Sequence, residues 1–509
     1  MKNRKLLFIA MIISAGMICS CTDLDAEILD GVEITNDGSG SSIPVESQLQ
    51  TAYQGLRTYQ DQARSHIVSE HTSDAIVGPT RGGDWDDNGV WRQLHVHTWN
   101  PLNGFIRDSW NDILSGVFNA NQVLENNPSP QQAAEARLIR SYHYYFVLDM
   151  FGIMPFRELG SPLTQEPTFF ERAEGTQFVI DELESIINDL PDRMDPTVAN
   201  KDAARFLLAK LYLNKAVFMA DNPAGPYTFD AGDMNAVIQN VDAMTNTLAT
   251  DYWDNFVPNN SEISPEIVFA SRNIQGGDGG NVQSRWRMGN HYNQSPDGWN
   301  GFTTLAEYYD RFDPNDIRIN NPDADALTNS GYNLGFQIGQ QYGPGGPGVG
   351  TALEDRNGNP LVFTKEISLL TEGSTLETAG VRGVKYKPDY DNIGSPDNDY
   401  VLARYSDALL MKAEAIARGG TPTGGDTAES IVNAIRARAS QAAITGSLDD
   451  IYAERGRELW WEGWRRNDMV RFGTYLNAKE LKSFESGPER VLFSIPAGAL
   501  STFPQNPGY

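Results

Sequence analysis

Cysteine is nearly absent from this sequence: of 509 residues only Cys19 and Cys21 are cysteines, and both fall within the first 21 positions. A disulfide framework for the body of the chain is thereby excluded, and the fold must rest on a buried core, for which 40% apolar residues over this length are ample. Positive charge is also scarce, with 40 Lys+Arg against 67 Asp+Glu and a formal net charge of −27. That balance counts against nucleic acid and anionic membrane surfaces as partners, whereas a neutral polymer meets no such repulsion. Metal chemistry lacks its ligands: of six histidines only His95 and His97 are close, at a strand-like spacing with no third ligand. A G-x-S-x-G elbow is missing, the glycine run QYGPGGPGVG at 341–350 lacks the Gly-Lys-Ser/Thr ending of a phosphate loop, and DRNGNP at 355–360 places its glycine at the wrong step for calcium. No cofactor and no metal are expected.

A long apolar run occurs at the N-terminus, LLFIAMIISAGMI after Lys2, Arg4 and Lys5, which has the length of a signal-peptide core and is short for a membrane span. It ends in ICSC. Small residues are needed before the cleaved bond, so Ser20 favours cleavage before Cys21, making residues 1–20 a lipoprotein signal peptide and Cys21 a lipidated first residue. Residues 21–45, acidic and with NDGSGSS, then read as a flexible tether.

Helical periodicity begins with VESQLQTAYQGLRTYQ and continues in GFIRDSWNDILSGVFNANQVLE, whose Trp110 falls on the core face. AAEARLIRSYHYYFVLDMFGIMPF predicts a deeply buried helix that ends at Gly152 and Pro155. TQFVIDELESIINDLP and NKDAARFLLAKLYLNKAVFMA, separated by a short turn, have the lengths of a tetratricopeptide-type hairpin, with Ala204, Leu207, Leu208 and Leu211 on one face. Between about 240 and 400 Gly, Asn, Asp and Pro dominate. Helices return with NDYVLARYSDALLMKAEAIARG, TAESIVNAIRARASQA and LDDIYAERGRELWWEGWRRNDMVRFG. The expected fold is mainly α: a helical-hairpin scaffold over 46–240 that carries a first ligand loop, a loop-rich insertion over 241–400, and C-terminal helices over 401–509 completing the scaffold.

An enzyme reading has one well-placed carboxylate pair, Glu458 and Glu462, one helical turn apart if the helix continues. Arg455, Arg457, Arg465 and Arg466 nearby favour a buried ionic seam over catalysis. Aromatic residues in polar loops form the second signal. RGGDWDDNGVW at 81–91 sets Trp85 and Trp91 among glycine, aspartate and asparagine, and RWRMGNHYNQSPDGWNGF at 285–302 does the same for Trp286, Tyr292 and Trp299. Sugar C–H faces stack on aromatic planes while hydroxyls seek amide, carboxylate and guanidinium groups. Both segments therefore read as halves of a sugar platform, whereas Trp99 reads as packing.

In this order and spacing, EARLIRSYHYYFVLDMFGIMPF, KDAARFLLAKLYL, ARYSDALLMKAEAIAR, VNAIRARA, YAERGRELWWEGWRRNDMVRFG and the terminal LFSIPAGALSTFPQNPGY, together with the lipobox at Cys21, resemble the SusD/RagB family of outer-membrane nutrient-binding lipoproteins. The resemblance implies a tetratricopeptide-like scaffold with a loop-rich ligand half. It implies no catalysis, a lipid anchor facing the cell exterior, and a SusC-like TonB-dependent transporter as partner. Its ligand-site pattern points to Trp85, Trp91, Trp286, Tyr292 and Trp299, with Asp84, Asn88, Arg81, Arg285, Asn290 and Asp297 as polar partners. The ligand expected is an oligo- or polysaccharide, with a neutral β-glucan of laminarin type the best match. A surface glycoside hydrolase and a RagB-like peptide binder are the alternatives.

Overall fold

The computed structural model describes residues 43–509 except 163, 277–280, 369 and 372–373, and among the described residues eight helices precede the loop-rich region. Cys21 and the expected signal peptide lie outside the described residues. The helices are α1 (Val45–Gly55), α2 (Ser65–Thr72), α3 (Val90–His95), α4 (Gly104–Glu125), α5 (Pro130–Met150), α6 (Arg172–Ile186), α7 (Lys201–Phe218) and α8 (Ala231–Asp242). Four more follow the loop-rich region: α9 (Tyr405–Ala417), α10 (Ala428–Arg438), α11 (Leu448–Glu458) and α12 (Arg465–Arg471).

Local sequence sets the starts of these helices. Asn103 caps α4, Asn200 caps α7, and Ser129 forms a reciprocal capping box with Gln132 ahead of Pro130 at the first turn of α5. Packing then runs in succession, with α1 on α4, α4 on α5, α5 on α6, α6 on α7, α7 on α8, α8 on α9 and α9 on α10. This is a mainly helical, tetratricopeptide-like scaffold, as the hairpin lengths predict. Every residue of α5 from Leu138 to Met150 is buried. The approach of α4 to α5 depends on Gly116, where a Cβ would lie 2.2 Å from the His143 ring. Ala204, Leu207, Leu208 and Leu211 are buried on α7 as their spacing requires.

The loop-rich segment is tied into the same compact unit, Val45–Tyr509. Strand Ile267–Ser271 pairs antiparallel with Tyr400–Arg404, and Leu334–Gln337 lies between Asn320–Asn321 and Arg382–Val384. The first pairing corrects an expectation, because Tyr400–Arg404 reads as the start of a helix in the sequence. Its Tyr-Val-Leu run is buried throughout, and a short apolar run of that kind carries no period that separates helix from strand.

Two further elements differ from expectation. Helix α2 intervenes between α1 and the first aromatic loop, and all eight of its residues are buried although its sequence SHIVSEHT is largely polar. Several of its polar groups find partners inside the protein, His66 Nδ1 meeting Tyr400 Oη at 2.7 Å and Thr72 donating to Ser69 O, whereas Ser65 Oγ, His66 Nε2 and His71 Nε2 have none among the described residues. The C-terminal run is not one helix either: α11 stops at Glu458, and left-handed Trp461 (φ 57°) and Gly463 (φ 88°) turn the chain before α12. Glu458 and Glu462 therefore do not share a helix face.

They do share Arg404. Glu458 is bound by Arg318, Arg404 and Arg438, and Glu462 by Arg404 and Lys385, all buried. Burial alone would raise the Glu458 carboxyl, but Arg438, Arg404 and Arg318 outweigh it and hold it well below the ordinary range. The pair is an ionic seam fastening α11 to the inserted strands, with no face open to a substrate.

Candidate ligand-binding site

The two aromatic loops, some two hundred residues apart in sequence, lie against each other. Trp85 Nε1 donates to Trp299 O at 2.7 Å, Tyr292 Oη donates to Asp84 Oδ2 at 2.9 Å, and Arg81 Nε donates to Gly301 O at 3.0 Å. Trp85, Tyr292, Trp299 and Asp84 are half-buried, each keeping surface open to solvent, and Asn88 and Asp297 are exposed. Asp297 sits 3.6 Å from Arg287.

The first loop is held in an unusual backbone. Trp85 (φ 61°), Asp87 (φ 41°), Asn88 (φ 56°) and Gly89 (φ 75°) are all left-handed. Glycine and asparagine adopt that region readily, but a tryptophan there costs energy that the surrounding contacts must offset. The contacts are an edge-to-face packing on Phe302 at 4.9 Å and a seat over Gly301, where any Cβ would stand 2.4 Å from the Trp85 ring. The strain thus serves to lift the ring to the surface of the loop.

Five of the residues expected to touch ligand are buried within the protein. Trp91 is 1% exposed, because the chain enters α3 at Val90 and turns its ring inward onto Phe105, His71 and Phe302, with Nε1 donating to Asp87 at 2.7 Å. Trp286, on a short helical turn at Ser284–Arg287, is 0% exposed. Arg81 is buried and donates to the carbonyls of Gly301, Leu376 and Ala379; burial pushes its guanidinium down to about 9. Arg285 donates to Tyr59 O at 2.7 Å and covers the Tyr400 ring. Asn290 is enclosed, donating to Pro296 O and Tyr332 Oη. These five act as supports, and the surface-facing set contracts to Trp85, Tyr292, Trp299, Asp84, Asn88 and Asp297.

A third segment completes the arrangement and was not legible in the sequence. In DRNGNP the Asp355 carboxylate accepts from the backbone N–H groups of Asn357 and Asn359, which closes a tight turn and presents Arg356. Arg356 lies over the Tyr292 ring at 4.5 Å, pairs with Asp84 at 2.9 Å and reaches Glu377 at 3.2 Å. Glu377 also meets His291 Nε2 at 3.0 Å. Burial would raise Glu377, but the hydrogen bonds from Arg356 and His291 hold it below the ordinary carboxylate range. Burial and the bond to Asp84 push the Tyr292 phenol up to about 12, so it remains a donor at any physiological pH. The two loops and this turn thus bring half-buried aromatic side chains to one surface with the Arg356 guanidinium and the Asp84 carboxylate, a mixture suited to a polar, largely uncharged ligand with apolar faces.

His95 and His97 are buried and hydrogen-bonded to Glu480 O and Thr72 O, and among the described residues no cluster of three His, Cys, Asp or Glu could hold a metal. A larger groove of about 900 Å³ lies elsewhere, lined by residues of α1, the start of α5 and Ala270–Arg272. It has no tryptophan and carries Glu46 and Glu135, which makes it the poorer candidate for stacking a sugar.

Residues 369–495 match the model of the SusD family. The starch-binding protein SusD of Bacteroides thetaiotaomicron is 27% identical over 446 residues, covering 79% of this chain and 76% of that protein. Among solved structures, surface glycan-binding protein A from Bacteroides fluxus aligns with a TM-score of 0.68 at 19% identity, over 91% of this chain and 99% of the other. Surface glycan-binding protein A from Bacteroides thetaiotaomicron, solved in complex with laminarihexaose, aligns with a TM-score of 0.65 at 19% identity, over 91% and 98%.

Proposed function

We propose that this chain, SusD-like in sequence and in fold, is a non-catalytic glycan-capturing protein whose ligand lies on Trp85, Tyr292 and Trp299. The observation that carries this reading is the meeting of the two loops: the Trp85 indole bonds to the main chain at Trp299, the Tyr292 phenol bonds to Asp84, and the Arg356 guanidinium lies over the Tyr292 ring. Sugar rings would stack on the aromatic faces, while Arg356, Asp84 and Asn88 supply partners for hydroxyls. The net charge of −27 favours a neutral glycan over a polyanionic one. The aromatic and amide composition, together with a structural neighbour that binds laminarihexaose, favours a β-glucan of laminarin type.

On the same reading the protein is anchored to the outer membrane through lipid on Cys21, faces the exterior, and passes its glycan to a SusC-like TonB-dependent transporter. Burial of Glu458 and Glu462 in ion pairs supports capture over hydrolysis. The test is retardation of the full chain, purified in detergent, in gels containing neutral and acidic polysaccharides. Trp85→Ala and Tyr292→Ala are each expected to lose about 1–3 kcal/mol of binding while retaining the wild-type far-UV spectrum. A wild type that ignores every glycan and co-purifies with peptide, or variants that bind as wild type does, would defeat the proposal.

A further inference from the structure

Behind the aromatic cluster lies a separate cavity of about 250 Å³, and none of the residues lining it is charged. In a chain with 67 acidic and 40 basic residues that composition is informative. The walls are aromatic and amide: Tyr309, Tyr342, Asn333 and Gln340 line it, with Ile338 at 41% exposure among them. Drug-sized ligands occupy roughly 300–1,000 Å³, so this volume suits something smaller.

Its polar groups are only partly used. Asn333 donates through its amide nitrogen to Asn320, and Gln340 donates to the carbonyls of Gln341 and Leu353. Among the described residues nothing donates to the side-chain oxygens of Asn333 and Gln340, and the hydroxyls of Tyr309 and Tyr342 have no protein partner. The cavity therefore offers two amide acceptors and two phenols beside aromatic faces, without a fixed charge.

A bridge of amides connects it to the loop above. Gln294 donates to Gln337 at 2.6 Å and to Gln341 at 3.2 Å, both of which line the cavity, and Asn290 donates to Tyr332 Oη at 3.0 Å on the same wall. Gln294 and Asn290 belong to the loop that presents Tyr292 and Trp299. One hydrogen-bonded set thus forms the back of the platform loop and the wall of the cavity.

We infer that this cavity is a second sugar subsite, which takes one uncharged pyranose ring, either the end or a branch of a bound glycan. The inference rests on the proposed function for its ligand class, and on the cavity alone for its location. The test is saturation-transfer NMR on the full chain in detergent, with a β-1,3-glucan hexasaccharide, maltohexaose and an oligogalacturonate as probes. With the platform removed by Trp85→Ala/Trp299→Ala, a weaker transfer to at least one neutral probe should persist. It should then fall about tenfold on adding Tyr342→Ala, the loss of one aromatic wall, or Ile338→Trp, which fills the mouth without removing a hydrogen bond. Wild-type melting curves for the cavity variants would show that the fold survives. No transfer in the platform-less protein, transfer unaffected by both cavity substitutions, or stronger transfer to the oligogalacturonate would each overturn the subsite. A wild type silent to every neutral probe would defeat the proposed function as well, and so distinguishes the two failures.

Discussion

Replacing Glu458 by glutamine keeps the shape of the side chain and removes one charge from the seam beneath the inserted strands. In the wild type its carboxylate meets Arg404 at 2.5 Å, Arg318 at 3.0 Å and Arg438, all of them buried. The substitution leaves the three guanidinium groups facing Glu266, Asp316, Glu454 and Glu462 with one anion fewer, and turns an NH2 donor toward donors. Breaking a buried pair from one side costs about 3–5 kcal/mol, a large share of the roughly 5–15 kcal/mol that holds a typical domain together. With a urea dependence at or above about 3 kcal/mol per molar for a chain of this size, the midpoint should fall by on the order of 1 M. Tryptophan fluorescence in urea reads that shift directly, with the exposed Glu429→Gln as a control expected to stay within about 0.5 kcal/mol. Because the Glu458 carboxyl is held below its ordinary range in the fold, its contribution is present above the unfolded carboxyl's range. It is lost as the pH falls through the lowered value, so the wild-type advantage should shrink in acid. An unshifted midpoint would refute the seam. So would hydrolysis of a polysaccharide by the wild type that disappears in a stably folded Glu458→Gln.

Trp91→Ala should cost about 3–5 kcal/mol of stability, read by thermal or urea unfolding, because the ring is fully enclosed by Phe105, His71 and Phe302. A loss of glycan binding without a loss of stability would show that the ring is not packing material. Gly301→Ala should displace the Trp85 ring, since the new methyl would stand 2.4 Å from it, and weaken glycan retention without removing any side chain proposed to touch the sugar. Wild-type retention would contradict the seat described for Trp85. Burial raises the Glu70 carboxyl from 4.5 to about 7 against the opposing pull of hydrogen bonds from Gly463 and Arg465. Its contribution is complete below the unfolded value and declines by on the order of 3 kcal/mol as the pH rises through about 7. Glu70→Gln should therefore gain on the wild type between pH 5 and 8, and parallel stability curves would disprove the shift.

The scaffold was legible because long helices advertise themselves: α4 and α7 carry unbroken periods and strong caps, so their core faces follow from spacing, and α5 is marked by its capping box and by aromatic residues on nearly every side. Helix α2 was hidden by its own composition, since SHIVSEHT has no apolar stripe and is stabilised by partners elsewhere in the chain. The break after Glu458 was hidden for a different reason, because its left-handed tryptophan follows from tertiary packing and not from local preference. At the site, the sequence pointed to two loops and the fold brings both together. It could not say which rings face outward. Trp85 and Trp91 stand in the same glycine- and aspartate-rich context, yet one is lifted by a left-handed backbone while the other enters a helix and turns inward. Arg356 was beyond reach because DRNGNP marks a turn through Asp355, Gly358 and Pro360 but does not say what that turn lies against.

Arg81 grips the carbonyls of Gly301, Leu376 and Ala379, and Arg382 those of Glu377, Ala379 and Gly380. Nearly every anchoring contact of these two guanidinium groups ends on main chain, and main-chain oxygens are present whatever residue bears them. Substitutions that reshape the outward-facing side chains of these loops can therefore accumulate without loosening the frame that aligns them. A lineage built on this arrangement can change the rings and amides at the surface while the alignment of the loops is inherited unchanged.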